Sequence, residues 1–308
     1  MRLVIASPRG FCAGVDRAIR CVERALERFG PPVYVLNHIV HNGHVVEDLR
    51  KRGAVFVRTL EEVPQGSMLL FSAHGVGPDR WRHARERGLR VVDATCPLVE
   101  KVHNEARRFA ERGYEIILIG EAGHDETVGT MGWVPPDRIH LVQTPEDAEQ
   151  VQVADPGRVA YITQTTLSVQ DCARVVSVLK RRFPAIQGPP REDICYATTN
   201  RQEAVLALTP EADLVLVVGD RESTNSTRLR DIARSQGVRA ELISDVSQLD
   251  PAWLEGVRVV VITSGASVPE RLVDELRAWF LDRYPGSTVE EREIREENME
   301  FRLPREIA

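Results

Sequence analysis

Three of the five cysteines are placed where a thiolate could bind a metal. Cys12, Cys96 and Cys195 each lie at or just before the start of a helical pattern, where the field of the helix favours thiolate over thiol. Cys21 and Cys172 fall inside apolar helical patterns, which predicts that they pack in a core. Three thiolates fit either zinc with a fourth ligand or a [4Fe–4S] cluster with one iron that no cysteine binds. Composition does not separate these two options.

Side chains that can donate hydrogen bonds follow several predicted strands. Because the carboxyl ends of parallel strands lie at one edge of a sheet, these loops predict a binding site for an anion. Glu126 adds a carboxyl group among the donors and could act as a general acid if burial or a nearby anion raised its pKa. The polar side chains of these loops are His41, His74, His124, Thr165, Ser223, Thr224, Asn225 and Ser267.

Six short apolar runs, rich in β-branched residues, must position these loops. Each ends in small or polar residues and is followed by helical periodicity, which predicts parallel α/β units. A further strand-like run covers residues 3–6, and residues 199–202 have the pattern of a helix capping box. The six runs are residues 33–36, 68–71, 116–119, 159–162, 214–218 and 257–262.

One layout repeats three times along the chain: a cysteine, a polar loop, and a second polar loop at similar separations. The repeat predicts three similar α/β modules with parallel sheets, each directing one cysteine and two loops toward a shared centre. The predicted modules are residues 1–95 with Cys12, 96–192 with Cys96 and 193–283 with Cys195. Residues 284–308 form a C-terminal tail.

Composition excludes several other classes of protein. The net charge of −6, with no basic patch, argues against a nucleic-acid partner. No apolar run is long enough to span a membrane and no signal-peptide pattern is present, so we expect a cytoplasmic protein. The chain has no phosphate-binding loop of the Walker type and no dinucleotide fingerprint, so electrons would come from a separate protein.

Several long motifs resemble those of one family, the 4-hydroxy-3-methylbut-2-enyl diphosphate reductases (IspH/LytB). The resemblance extends from about residue 3 into the tail. The motifs are PRGFCAGVDRA at 8–18, VHN at 40–42, FSAHGV at 71–76, DATCPLV at 93–99, GH at 123–124, TQTTLSV at 163–169, DICYATTNRQ at 193–202, SGAS at 264–267 and REEN at 295–298.

The resemblance implies a pseudo-threefold, trefoil arrangement of three α/β modules around a central [4Fe–4S] cluster, one per chain. It implies that Cys12, Cys96 and Cys195 bind the cluster and leave one iron for the substrate. The implied reaction is the last step of the non-mevalonate (MEP/DOXP) isoprenoid pathway. There, 4-hydroxy-3-methylbut-2-enyl diphosphate is reductively dehydroxylated to isopentenyl and dimethylallyl diphosphates, with electrons from a ferredoxin- or flavodoxin-type donor.

The resemblance also implies roles for the loop residues. Thr165 and Glu126 would orient and protonate the leaving hydroxyl group, with His124 beside them. Thr224 departs from the Ser-Ser-Asn pattern of the family: it keeps a hydroxyl but adds a methyl group and a stiff χ1 angle. The residues implied for the diphosphate pocket are His41, His74, His124, Ser223, Asn225 and Ser267.

Two other functions are compatible with parts of the pattern. A zinc-dependent hydrolase would use the same three cysteines but would be colourless, whereas an iron–sulfur protein is brown. A non-enzymatic iron–sulfur redox sensor would need a surface for DNA or a partner protein, and no basic patch or helix-turn-helix signal is found. A purely structural protein would leave the polar loop residues without a reason.

Overall fold

A computed structural model of the chain describes all residues from 1 to 308. Twelve strands and ten α-helices alternate along most of its length. The strands are β1 Arg2–Ser7, β2 Val33–Leu36, β3 Ala54–Val57, β4 Met68–Phe71, β5 Arg90–Asp93, β6 Glu115–Ile119, β7 Ile139–Val142, β8 Val159–Thr163, β9 Leu214–Val218, β10 Arg239–Ile243, β11 Val259–Ser264 and β12 Thr288–Glu293. The helices are α1 Ala13–Phe29, α2 Gly43–Lys51, α3 Pro78–Glu86, α4 Pro97–Glu111, α5 Asp125–Met131, α6 Pro145–Gln150, α7 Val169–Arg182, α8 Tyr196–Leu208, α9 Thr224–Ser235 and α10 Glu270–Arg283.

The strands form three sheets, and all of their pairings are parallel. Sheet 1 has the order β10-β9-β11-β1-β12, sheet 2 has β3-β2-β4-β5, and sheet 3 has β7-β6-β8. The prediction of an α/β fold with three parallel sheets is therefore confirmed.

The three sheets share one strand order. If the strands of sheet 1 are counted from β9, the first strand of each sheet lies between the second and the third: β9 between β10 and β11, β2 between β3 and β4, and β6 between β7 and β8. In each sheet a fourth segment pairs with the outer side of the third strand, and a cysteine follows this segment in the sequence. This segment is β1 in sheet 1 and β5 in sheet 2, and in sheet 3 it is a single parallel bridge from Gln187 to Ala160 of β8.

The structure differs from the predicted module boundaries at both ends of the chain. The sequence pattern predicts residues 3–6 in the first module and residues 284–308 in a separate tail, but β1 and β12 both belong to sheet 1. Cys12 therefore follows a strand of sheet 1, and Cys96 follows the last strand of sheet 2. Alternation of strands and helices along the sequence identifies parallel α/β units. It does not show which strands from distant parts of the sequence pair with each other in a sheet.

The chain divides into two compact units. Unit 1 comprises Met1–Val15, His41–Val45 and Tyr196–Glu300, and it contains sheet 1. Unit 2 comprises Asp16–Val40, Val46–Cys195 and Phe301–Ala308, and it contains sheets 2 and 3.

Helices cover both faces of sheets 1 and 3, so their central strands are apolar at nearly every position. In β9, Leu214, Leu216 and Val218 pack beneath α10, whereas Val215 and Val217 face α8 and α9. Sheet 3 is buried in the same way between α4 and α7. These rigid layers hold the loops at the carboxyl ends of the strands.

Two local predictions are wrong. Helix α8 begins at Tyr196, directly after Cys195, so residues 199–202 lie inside the helix and do not cap it. The apolar periodicity of residues 15, 19, 22, 26 and 29 predicts one buried stripe on α1, but Phe29 is exposed at the end of that helix. No helix combines the length and the apolar character that crossing a membrane requires.

Candidate active site

Cys12, Cys96 and Cys195 occupy equivalent positions, as predicted. Each directly precedes the first residue of a helix, α1, α4 or α8, and each is partly accessible to solvent. Cys96 is the N-cap residue of α4, and Pro97 occupies its first turn. The amide groups at the start of each helix therefore lie close to a cysteine.

The backbone of each cysteine is tied to a loop that holds a predicted site residue. The N–H of Cys12 donates to the carbonyl of Ala266 at 3.1 Å, next to Ser267. In unit 2, the N–H of Cys96 donates to the carbonyl of Ala73, and that of Cys195 to the carbonyl of Thr165. The same contact thus recurs at all three positions and fixes each cysteine beside the loop that follows the third strand of its sheet.

The other two cysteines are in a different environment. Cys21 in α1 and Cys172 in α7 are buried among apolar side chains. Burial raises the pKa of Cys21 to about 11 and that of Cys172 to about 12, so both remain thiols at neutral pH. The set of potential thiolate ligands is therefore limited to three, which fits a metal group that uses three cysteines.

Glu126 lies in unit 2 and is almost completely buried, with 2 % of its surface exposed. One carboxylate oxygen accepts the N–H of Thr165 at 2.7 Å, and the other accepts its hydroxyl at 3.0 Å. Burial and, to a smaller extent, the charge of Asp193 raise the pKa of Glu126 to about 7 despite these bonds from Thr165. Near neutral pH this carboxyl group can hold a proton and also release it, as a general acid must.

His124 lies next to Glu126 in the same unit, and His74 contacts His124. His124 is the N-cap residue of α5, and its Nδ1 accepts the N–H of Glu126 at 3.1 Å. In the neutral ring this contact places the hydrogen on Nε2. The rings of His74 and His124 meet edge to face, with 5.6 Å between their centres, and Nδ1 of His74 lies 3.2 Å from the hydroxyl of Ser72.

Unit 1 brings together a second set of predicted residues. Ser223 caps helix α9, and Thr224 and Asn225 are the first two residues of that helix; all three are buried. The hydroxyl of Ser267 donates to the carbonyl of His41 at 2.9 Å. The amide oxygen and nitrogen of Asn225 have no hydrogen-bond partner, although the residue is only 4 % exposed. Buried amides are normally paired, so this side chain is suited to a polar ligand.

Two glycines allow this arrangement. A Cβ atom on Gly265 would lie 2.0 Å from the hydroxyl of Ser226, and one on Gly219 would lie 2.3 Å from it. Ser226 is completely buried between them, and its hydroxyl donates to that of Ser223 at 3.1 Å. The start of α9 can therefore approach the loops after β9 and β11 only because neither glycine has a side chain.

Gln164 is a site residue that the sequence analysis did not identify. Its side-chain oxygen accepts the N–H of Glu121 and the hydroxyl of Thr127, and its nitrogen donates to Thr166. It therefore joins helix α5, which carries Glu126, and the loop before it to the loop that carries Thr165. Its place in the TQTTLSV motif was the only signal in the sequence.

Comparison with known proteins identifies the family. The family model described as LytB protein matches residues 3–280. A curated relative from Acidothermus cellulolyticus is 55 % identical over 99 % of this chain and 90 % of its own length. The chain belongs to the LytB family. This LytB chain is also 53 % identical to a relative from an Azoarcus species, over 99 % of this chain and 97 % of the relative. Both relatives are named 4-hydroxy-3-methylbut-2-enyl diphosphate reductase.

Two solved structures extend the comparison to three dimensions. The E-1-hydroxy-2-methyl-but-2-enyl-4-diphosphate reductase from Plasmodium falciparum matches this LytB chain with a TM-score of 0.96 and 39 % identity, covering 99 % of this chain and 96 % of the other. A second structure, of the (E)-4-hydroxy-3-methyl-but-2-enyl diphosphate reductase described as the terminal enzyme of the non-mevalonate pathway, matches with a TM-score of 0.64. It is 31 % identical and covers 92 % of this chain and 100 % of the other. The LytB family is a family of iron–sulfur enzymes.

Proposed function

We propose that this chain reduces 4-hydroxy-3-methylbut-2-enyl diphosphate to isopentenyl and dimethylallyl diphosphates, the last step of the non-mevalonate isoprenoid pathway. Family membership over nearly the whole chain supports the reaction and the substrate. The observation that carries the proposal is the Glu126–Thr165 pair, a buried carboxyl group with a pKa of about 7 held by two hydrogen bonds. Removing a hydroxyl group as water requires such a proton source.

Cys12, Cys96 and Cys195 would hold one [4Fe–4S] cluster per chain. The support is local: each cysteine precedes a helix, is partly accessible and has its backbone fixed by a hydrogen bond. When bound, the cluster would supply the electrons and, at the iron without a cysteine, a Lewis acid. The assignment requires the three sulfur atoms to converge on one cluster.

The diphosphate would be bound by hydrogen-bond donors. In unit 1 these are the hydroxyls of Ser223, Thr224 and Ser267, the amide of Asn225 and the ring of His41, beside the N-terminus of the twelve-residue helix α9. In unit 2, His74 and His124 would contribute their rings. Helix N-termini and neutral donors favour an anion because their partial positive charges replace the water that it loses. Binding the remote diphosphate would fix the reacting carbon in place.

Proton balance defines the role of Glu126. Replacing the carbon–oxygen bond by a carbon–hydrogen bond consumes two electrons and two protons and releases one water molecule. Thr165 would hold the hydroxyl group of the substrate while Glu126 transfers one of the protons to it, so that water and not hydroxide departs. Nε2 of His124, which carries the hydrogen in the neutral ring, would keep the leaving oxygen in position.

The second proton ends on carbon, and its delivery to either end of the allyl group would give the two products. The electrons would come from an external protein of the ferredoxin or flavodoxin type, because the chain has no nucleotide-binding motif of its own. The donor protein and a cytoplasmic location stay predictions from the sequence.

Anaerobic assay of the purified full-length protein tests the proposal. With 4-hydroxy-3-methylbut-2-enyl diphosphate and dithionite, we expect both five-carbon diphosphates to form, identified by chromatography and mass spectrometry. Iron and sulfide analysis and the visible spectrum would be recorded on the same sample. A protein with full iron content that leaves the substrate unchanged would overturn the proposed reaction. A colourless zinc protein that releases phosphate would instead establish a hydrolase.

A further inference from the structure

The helix that follows each cysteine carries a cationic side chain in its second turn. These are Arg17 in α1, Lys101 in α4 and Arg201 in α8. None of them was assigned a role by the motifs or by the proposed reaction. Each binds backbone carbonyls just before a different cysteine, and every one of these contacts lies within a single unit.

Arg17 holds the segment before Cys96. Its guanidinium group donates to the carbonyls of Thr95 at 3.0 Å and of Asp93 at 3.4 Å. A third bond, 2.8 Å long, goes to the carbonyl of Arg302 near the end of the chain. The residue immediately before Cys96 is therefore fixed by a side chain from the helix that follows Cys12.

Lys101 holds the segment before Cys195 in the same way. Its ammonium group donates to the carbonyls of Arg191 at 2.8 Å and Glu192 at 2.9 Å, and to the carboxylate of Asp193 at 2.8 Å. The Asp193 side chain is fully buried, so the ammonium also neutralises a charge that would otherwise be costly there.

Arg201 completes the set at Cys12. Its guanidinium group donates to the carbonyls of Gly10 at 2.8 Å and Arg9 at 3.4 Å, and it pairs with Glu297 at 3.0 Å. The Arg201 side chain is fully buried. The order is thus cyclic. The helix after Cys12 binds the segment before Cys96, the helix after Cys96 binds the segment before Cys195, and the helix after Cys195 binds the segment before Cys12.

We infer that Arg17, Lys101 and Arg201 are positioning residues of the metal centre, each of which orders the loop of the next cysteine in this cycle. The inference rests on the proposed cluster site. Charged donors bind carbonyls more strongly than neutral ones and hold several at once, so they restrict the segment that carries the ligand.

The cyclic order makes a specific prediction: a substitution in one helix should loosen the loop of the next cysteine in the cycle and not the loop of the cysteine that precedes that helix. We would measure hydrogen exchange by mass spectrometry on the anaerobically purified, full-length protein. Arg17→Gln should accelerate exchange of the amides of Thr95 and Cys96, which donate to Asp93 and Ala73. The amides near Cys12, the cysteine that precedes Arg17 in sequence, should exchange as in the wild type.

The other two variants should act on their own loops. Lys101→Gln should accelerate exchange at Cys195 and at Thr163, whose amide donates to Asp193. Arg201→Gln should do so at Gly10 and Cys12, whose amides donate to Ser264 and Ala266.

Iron release to a chelator gives a second readout that general destabilisation would not reproduce. Loss of a residue that orients metal ligands typically costs about 10- to 100-fold in affinity, so we expect the three glutamine variants to lose iron faster by about that factor. Lys101→Arg, which restores the cation, should release iron nearly as slowly as the wild type. Matched controls are Arg24→Gln, an exposed arginine of α1 paired with Glu27, and Arg108→Gln, an exposed arginine of α4.

The outcomes separate the two proposals. Wild-type protein without iron would overturn the cluster site, whereas the exchange pattern would still decide whether the cations order the loops. Iron-loaded variants with wild-type release and wild-type exchange would overturn the positioning role. Faster exchange spread equally over all three loops would do the same, because it indicates a general loss of stability. If Arg201→Gln does not fold, the partly exposed Arg17 and Lys101 carry the test.

Discussion

Burial separates the five cysteines of this chain into two chemical classes. Cys21 and Cys172 are held as thiols in apolar surroundings, whereas Cys12, Cys96 and Cys195 are partly accessible at helix N-termini. A metal ligand must be a thiolate that can be reached, so only the second class qualifies.

Serine replacements should follow this division. We expect Cys12→Ser, Cys96→Ser and Cys195→Ser each to lose the visible absorption and most of the iron, because serine oxygen is a poor ligand for an iron–sulfur cluster. Cys21→Ser and Cys172→Ser are the matched controls and should keep both. Iron, sulfide and absorbance per chain would be measured on anaerobic preparations. Normal iron content in any of the first three variants would contradict the ligand assignment.

Glu126→Gln tests the proton source. Glutamine keeps the size of the side chain and its contact with Thr165 but has no acidic proton, so we expect the catalytic rate to fall by about 10²–10⁴-fold. Cluster content and substrate affinity should stay close to wild type. Rates would be measured with dithionite as the electron donor. Glu121→Gln, in the loop before α5, is the control, and a Glu126→Gln rate close to that of the control would move the proton source elsewhere.

The raised pKa of Glu126 also predicts how stability depends on pH. Because burial raises this pKa to about 7, the folded protein favours the protonated form, and the contribution to stability is lost as pH rises through about 7. Glu126→Gln removes this titration. We therefore expect the variant to be more stable than the wild type at pH 8 and nearly equal to it below the ordinary carboxyl pKa. The free energy of unfolding of both proteins would be measured in denaturant at several pH values. If Glu126 were solvated, the difference between the variant and the wild type would not change with pH.

At the scale of elements, close approach between a helix and two loops builds half of the candidate anion site. The N-terminus of α9 fits against the loops after β9 and β11 because Gly219 and Gly265 leave room for Ser226. Helix α9 places Asn225 and its cap Ser223 in the site, so any displacement of its first turn should weaken binding of the diphosphate.

Gly265→Ala measures this packing. The added methyl group would lie 2.0 Å from the Ser226 hydroxyl, so the first turn of α9 must shift. We expect KM to rise more than kcat falls, because the residues displaced bind the remote diphosphate. Gly43→Ala, whose new atom would lie 3.7 Å from its nearest neighbour, is the control. Adding Ser226→Gly should restore binding; a double variant as weak as the single one would show that the clash is not the cause.

At the scale of the whole molecule, the C-terminal segment packs against the N-terminal segment. Strand β12 pairs with β1, and Glu297 beyond it pairs with the buried Arg201, which binds the carbonyls before Cys12. The C-terminal segment thus belongs to the structure that holds the first cysteine, although the motifs at the two ends are almost 300 residues apart.

Glu297→Gln should therefore lower the stability of the fold. Breaking a buried ion pair leaves an uncompensated charge, and we expect a loss of about 3–5 kcal/mol in the free energy of unfolding. Glu203→Gln breaks the neighbouring exposed pair with Arg295 and should cost only about 0–1 kcal/mol. Denaturant unfolding of the two variants would give both values. Equal losses would show that the Arg201 charge is neutralised by other groups.

The strands that sequence predicted best are those buried on both faces. Residues 33–36, 68–71 and 214–218 have the predicted bounds, because an unbroken β-branched or apolar run between polar loops fits a central parallel strand. Strands β3, β5, β7, β10 and β12 were not predicted. They lie toward the edges of their sheets, where exposed and charged residues interrupt the apolar pattern.

The sequence by itself determined the family and predicted the residues of the site. Residue types and motifs selected three cysteines, Glu126 and the polar loops, because thiolates, carboxyls and donors at strand ends are needed for this reaction. Only the tertiary structure decided which strand neighbours which, and hence that β1 and β12 complete sheet 1. It also decided the pKa of Glu126 and the partners of Arg17, Lys101 and Arg201. Burial and contacts between distant segments depend on packing, which local patterns do not encode.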